Sequence, residues 1–309
     1  MRPHRLMFLA FASGLAWMVA GFGQDASEAD RNLVNTRYRP GDMAADSPVV
    51  FPKEGALPAL YPPDLKTVSR PVEDDYYLFT SPCRSVGQIR AIRAAMPEGI
   101  YTLPGTDWSH LEQTQRRLKD GGRLRILALG DSIVNDVMRS GWVGMLGEAY
   151  PRSEVEAWVY VRGGGGCQHY READRVRRYV VPLQPDLVLI GGISQRSVDD
   201  IRVVIRQLRE ALPLVEVVLF TGAFGTTDPR DSKALKAAPH SGTGTYGVAL
   251  QRLAAEEGCA FLDLTTAWAE YLRSAGLHPH LFYRDVVHAN EYGEQVLGRI
   301  LEAFFKGGG

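Results

Sequence analysis

The chain has 309 residues, 45% hydrophobic and 23% charged, an ordinary composition for a globular protein and room for one large or two small domains. Lys and Arg number 35 against 36 Asp and Glu, a formal net charge of −1. Without a long basic run, that balance argues against a nucleic-acid partner.

The N-terminus carries Arg2, His4 and Arg5 ahead of an apolar run, Leu6 to Phe22. Gly21-Phe22-Gly23 offers a small-x-small exit before Gln24. Residues 1–23 therefore read as a cleaved signal peptide, directing the protein to a secreted or periplasmic location. The alternative is an uncleaved helix that tethers the protein to a membrane, since the run approaches spanning length. Export permits disulfides. Of the three cysteines, Cys83 and Cys167 are a candidate bridge, and Cys259, opening the apolar CAFLDL, reads as a core residue.

Residues 24–105 look irregular and proline-rich, which predicts an extension packed on the main domain. A small glycan-binding β-module is the alternative. Ser85 to Met96 reads as a short helix with a serine cap, and Trp108 to Lys119 as another. The main domain, 106–309, then alternates strands and helices. Apolar β-rich runs fall at Arg125–Leu129, Val155–Val161, Asp186–Gly191, Val215–Phe220 and Ala260–Leu264. Val198, Ile201, Ile205, Leu208 and Leu212 follow helical spacing, as do Val296, Leu297, Ile300, Leu301 and Phe304. The alternation predicts an α/β fold, a three-layer α/β/α sandwich around a five-stranded parallel sheet. Its natural strand order is the flavodoxin-like 2-1-3-4-5.

In such a sheet, ligands bind beyond the carboxyl ends of the strands, where several chemistry-bearing segments fall. ILALGDSIVND puts Ser132 on a turn after the first strand. The glycine run Gly163–Gly166 follows the second strand, and Gly191-Gly192-Ile193-Ser194 the third. YRDVVHAN sets Asp285 three residues before His288, ahead of the last helix. A serine hydroxyl needs a base within hydrogen-bond reach, and an imidazole needs a carboxylate to fix its tautomer. Ser132, His288 and Asp285 are thus candidate nucleophile, base and orienter. On the bland reading, Gly-Asp-Ser is a helix cap and His288 a surface histidine.

The Gly-Asp-Ser and Asp-x-x-His segments together resemble the SGNH (GDSL-like) hydrolase family, mostly esterases and lipases. The resemblance runs from Arg123 to Lys306. It implies an oxyanion hole made by the Ser132 amide and the Gly166 amide, and no cofactor or metal. The family's third block usually reads Gly-x-Asn-Asp, the asparagine being a further donor. Here it reads GGISQRS, so Ser194 or Gln195 must substitute, or Ser194 merely caps a helix. His169 and Tyr246 are candidate substrate-binding residues, and His278 and His280 read as loop residues rather than ligands. The expected activity is that of a serine esterase deacetylating a carbohydrate. The alternatives are a lipase or aryl esterase, or a catalytically weak glycan-binding or glycan-modifying protein.

Overall fold

A computed structural model describes residues 36–38, 68–72, 76–80, 84–98, 108–222, 228–237, 244–285 and 287–307. The expected signal segment and Cys83 lie outside the described residues.

Five strands run parallel: β4 (Gly122–Gly130), β5 (Ser153–Val161), β6 (Leu187–Ile190), β7 (Glu216–Phe220) and β8 (Ala260–Leu262). Their spatial order is β5-β4-β6-β7-β8, the expected 2-1-3-4-5. A sixth strand, β1 (Thr36–Tyr38), pairs antiparallel with β5 and caps that edge of the sheet. The extension also holds a separate hairpin of β2 (Val68–Val72) and β3 (Tyr76–Thr80). It is thus less irregular than expected, because its valines and aromatics are strand formers.

Period-two alternation divides the strand side chains between two cores. Leu124, Ile126 and Ala128 of β4, with Val218 and Phe220 of β7, face one core. Leu127, Leu129, Val217 and Leu219 face the other. The first core is closed by α3 (Ser132–Arg139), α4 (Trp142–Ala149), α9 (Leu264–Ala275) and α10 (Glu291–Lys306); the second by α6 (Val198–Ala211) and α8 (Thr245–Glu256). Two short helices, α5 (Cys167–Tyr170) and α7 (Ser232–Ala237), lie in the loops. Near the N-terminal side, α1 (Val86–Ala95) starts with a capping box between Ser85 and Gln88, and α2 (Glu112–Asp120) leads into β4. Helix α1 docks on α10: Ile92 enters the first core, and Arg93 bonds Gln295 (3.0 Å) and Glu302.

Helix α10 is held at its far end by aromatic packing. The fully buried Phe305 stacks on Trp142 with centroids 5.3 Å apart and 7° between planes. Phe305→Ala is expected to cost about 3–5 kcal/mol of stability, measurable by denaturant unfolding. That loss would loosen the helix that follows the His288 loop.

Candidate active site

Strand β4 ends at Gly130, Asp131 caps α3, and Ser132 is the first helical residue. Far along the chain, a short 3-10 turn (Pro279–Phe282) leads to a loop that closes before α10. Tyr283 bridges Ala289, the Arg284 amide donates to the His288 carbonyl (2.9 Å), and the Asn290 amide donates to Phe282 (2.9 Å). Asn290 then caps α10 with bonds from the Tyr292 and Gly293 amides. The loop is therefore laced, not loose.

His288 Nε2 lies 2.7 Å from Ser132 Oγ, and His288 Nδ1 lies 2.7 Å from Asp285 Oδ2. The other Asp285 oxygen accepts the amides of Val287 (2.9 Å) and His288 (2.8 Å). With Nδ1–H donating to the carboxylate, Nε2 is left as the acceptor for the serine proton. Burial pushes the Asp285 carboxyl up, but the bonds from the His288 ring and the two amides more than offset it. The net shift is downward from the usual value.

Two buried carboxylates on α3 and its cap, which the sequence reading did not single out, hold this geometry. Asp131 is fully buried and accepts the amides of Ile133 (3.0 Å), Ile193 (2.7 Å) and Ser194 (2.6 Å), together with the Ser194 hydroxyl. Burial raises its pKa, opposed by those four bonds. Asp131 thereby ties the serine turn to the loop after β6. Gly192 makes that approach possible: its φ is +102°, and a Cβ there would sit 2.4 Å from Asp131 Oδ1. Asp136, one turn along α3 from Ser132, is also fully buried. It accepts Arg284 Nη2 (2.8 Å) and the Ala289 amide (2.9 Å), and Arg284 Nη1 donates to the Ala289 carbonyl. This pair joins the helix carrying Ser132 to the loop carrying His288. Only the spacing of Asp136 one helical turn after Ser132 hinted at it.

The expected oxyanion residues divide. Gly166 sits at the start of α5 in extended conformation. A Cβ there would lie 2.6 Å from Gln195 Oε1 and 2.7 Å from Gln168 Oε1, so any larger residue would push those two side chains aside. Ser194 faces Asp131 through both its amide and its hydroxyl. Gln195 accepts the Cys167 amide (2.8 Å) and donates to the Gly191 carbonyl (3.0 Å). Both side chains offered as replacements for the family asparagine are therefore engaged as braces, because the loop folds back on Asp131 and α5. Gln168 Nε2 adds a bond to the Ser194 carbonyl (3.2 Å).

His169 follows on α5, its Nδ1 3.5 Å from Arg162 Nη1 and its carbonyl accepting Arg175 Nη1 (3.1 Å). Tyr246 lies on α8, half-buried against the second core, with its hydroxyl ionisation pushed far up by burial. Cys167 and Cys259 are buried thiols, and Cys83, the other half of the candidate bridge, lies outside the described residues. His278 Nδ1 accepts the His280 amide (3.2 Å), so the pair serves as a turn cap. Among the described residues, no helix is long and apolar enough to cross a membrane.

Comparison with known proteins accords with this geometry. Residues 128–296, just over half of the chain, match the GDSL-like lipase/acylhydrolase family. No curated protein sequence matches. Among solved structures, a two-domain esterase active on acetylated mannans, co-crystallised with mannopentaose, aligns at 15% identity with a TM-score of 0.52. The alignment covers 67% of this chain and 57% of that one. Without the sugar, the same kind of esterase aligns at 14% identity and 0.51, over 65% and 53%. This chain thus spans little more than half the length of those esterases. A mutant acetyl-xylooligosaccharide esterase from Geobacillus Stearmophilus aligns at 20% identity and 0.48, over 59% and 94%. At such identities the likeness is one of fold, whereas the sequence match extends from the end of β4, through Ser132 and the Asp285–His288 loop, into α10. The chain belongs to the GDSL-like lipase/acylhydrolase family, the SGNH hydrolases.

Proposed function

We propose that the protein is an exported serine esterase that removes small acyl groups from carbohydrate through an acyl-enzyme. The observation that carries this reading is the 2.7 Å contact between His288 Nε2 and Ser132 Oγ, 156 residues apart, continued by the 2.7 Å contact to Asp285. In this mechanism Ser132 Oγ attacks the ester carbonyl while His288 takes its proton. The tetrahedral oxyanion is met by the amides of Ser132, at the start of α3, and Gly166. His288 then protonates the leaving alcohol, and a water activated by the same ring resolves the acyl group. Asp285 fixes the tautomer and stabilises the imidazolium. None of these steps draws on a cofactor.

Carbohydrate as the acyl carrier is favoured by the fold shared with an esterase active on acetylated mannans. Export is favoured by the basic and apolar character of residues 1–23. A second reading, a weak esterase that chiefly binds glycan, is favoured by the engagement of Ser194 and Gln195 elsewhere. Intact-mass spectrometry on protein quenched during turnover of an acetyl ester separates the two. One acetyl group on Ser132 is the expected result. Turnover with no acyl adduct, undiminished in Ser132→Ala, would refute the mechanism, and binding of acetylated glycan without turnover would favour the second reading.

Gly166→Ala is expected to lower kcat about 10²-fold or more. The new methyl would meet Gln195 and Gln168 and so shift the backbone that carries the Gly166 N–H. Steady-state kinetics on p-nitrophenyl acetate checks it.

The lowered Asp285 pKa has a sign. Its folded-state value lies below the unfolded one, so the stability it contributes is present above the ordinary carboxylate range. It is lost as pH falls through the lowered value. The Tm gap between wild type and Asp285→Asn is therefore expected to be widest near neutrality and to close in strong acid, as read by thermal unfolding across pH.

A further inference from the structure

Consecutive glycines, Gly163 to Gly166, lead from β5 to the expected oxyanion amide. Glycine restricts its own backbone least of all residues, so this loop does not by itself hold the Gly166 N–H in place. A bond from the Gly165 amide to the Arg162 carbonyl closes its first turn (3.0 Å). Beyond that turn, the position of Gly166 is set from the far side, by α5.

Helix α5 is one turn long and is tied at both ends. The Cys167 amide donates to Gln195 (2.8 Å), whose own side-chain amide reaches the Gly191 carbonyl just past β6 (3.0 Å). At the other end, Tyr170 is fully buried in the second core, its ring centroid 5.2 Å from that of Tyr160. The Tyr170 amide donates to the Gly166 carbonyl (3.4 Å). Its hydroxyl donates to the carbonyl of Gly130, the last residue of β4, and accepts the Arg162 amide (2.9 Å). Gly130 is a fixed anchor, because a Cβ there would lie 2.6 Å from the Gly191 carbonyl oxygen. Ser132 follows two residues later, and its amide, the first of α3, has no acceptor inside the helix. One side chain thus spans the two segments that carry the expected oxyanion donors.

We propose that Tyr170 is a positioning residue, its buried hydroxyl fixing the Gly166 amide against the Ser132 amide so that both meet one oxyanion. This rests on the esterase reading above and deepens it. Packing alone does not call for the hydroxyl, since a phenylalanine ring would fill the same space. Nor does polar satisfaction, because the Arg162 amide and the Gly130 carbonyl also bond each other (3.0 Å). Removing the phenol oxygen orphans neither group, so the fold survives while α5 loses its tie to β4. With Ser194 and Gln195 engaged as braces, no third side-chain donor makes up for a misplaced amide.

Tyr170→Phe in the full chain is the test. On p-nitrophenyl acetate, kcat is expected to fall about tenfold or more, as small misplacement of a catalytic group produces, with KM within about twofold of wild type. A trifluoromethyl ketone reads the oxyanion itself. Ser132 Oγ adds to its carbonyl carbon, the carbonyl electron pair becomes the oxyanion, and the serine proton passes to His288. Its inhibition constant is expected to weaken by the factor that kcat/KM loses. The acid limb of kcat/KM against pH is expected to keep its midpoint, since Tyr170 does not touch the His288–Asp285 pair. 4-Aminophenylalanine at position 170 keeps an N–H donor toward Gly130 and is expected to recover most of the lost rate. That variant decides the matter should the phenylalanine protein fail to fold. Combined with Gly166→Ala, the loss is expected to be smaller than the product of the two single losses, because both move one amide. Wild-type kcat in a folded Tyr170→Phe protein, full multiplication of the two losses, or a rate loss with ketone affinity unchanged would overturn the role. A slow Gly166→Ala beside a wild-type Tyr170→Phe sinks Tyr170 alone. Wild-type rates in both would sink the oxyanion reading with it.

Discussion

Ser132→Ala is expected to lower kcat by about 10⁴–10⁶-fold while leaving the melting temperature almost unchanged. The serine is only partly buried, and its hydroxyl contacts the His288 ring, so its removal deletes the nucleophile without opening a core cavity. Asp285→Asn is expected to cost about 10⁴-fold, because the amide allows the imidazole to turn to the wrong tautomer. The two losses are not expected to add, since both residues act on one proton transfer. Initial rates on p-nitrophenyl acetate for the two single variants and the double variant check this. A Ser132→Ala protein within tenfold of wild type would remove the nucleophile assignment.

Breaking the pair behind the site is expected to cost both stability and rate. Asp136 is fully buried and Arg284 is 9% exposed, and the further acid near Arg284, Glu294, lies at 3.8 Å, so truncating either leaves a poorly compensated charge in the interior. Asp136→Ala and Arg284→Ala are each expected to lose about 3–5 kcal/mol in denaturant unfolding. The double variant Asp136→Leu with Arg284→Met is expected to be less destabilised than either, since no lone charge remains. Activity should part company with stability there. Asp136 also holds the Ala289 amide, the residue after His288, and no apolar pair can replace that bond. The double variant is expected to show kcat lowered about 10²-fold with KM little changed, as misplacement of a catalytic group by about 1 Å produces. Recovery of wild-type kcat by the apolar pair would show that the ion pair serves stability alone.

Much of the scaffold was legible from local pattern. The five parallel strands lie where the β-rich runs fall, and their order is the expected 2-1-3-4-5. The capping box at Ser85 and Gln88 and the amphipathic spacing of α6 are local signals of the same kind. The antiparallel strand at Thr36–Tyr38 was not legible, because a three-residue edge strand has no periodicity of its own and exists through its partner β5.

The site divides the same way. Asp285 and His288 are three residues apart, so their relation could be read along the chain, and a helix opening at Ser132 follows from the residues around it. The engagement of Ser194 and Gln195 could not be read, since a hydroxyl or an amide takes whichever partner the folded loops bring near. Here those partners are Asp131 and the backbone of Gly191 and Cys167. Likewise Asp136 and Arg284, 148 residues apart, carry no mark of each other until α3 and the last loop meet. Sequence alone determined the layered scaffold and which types of reactive group stand at strand ends, because periodicity and turn chemistry act over a few residues. The tertiary structure decided which of those groups touch and which are spent as braces, because hydrogen bonds and ion pairs are set by distance in space.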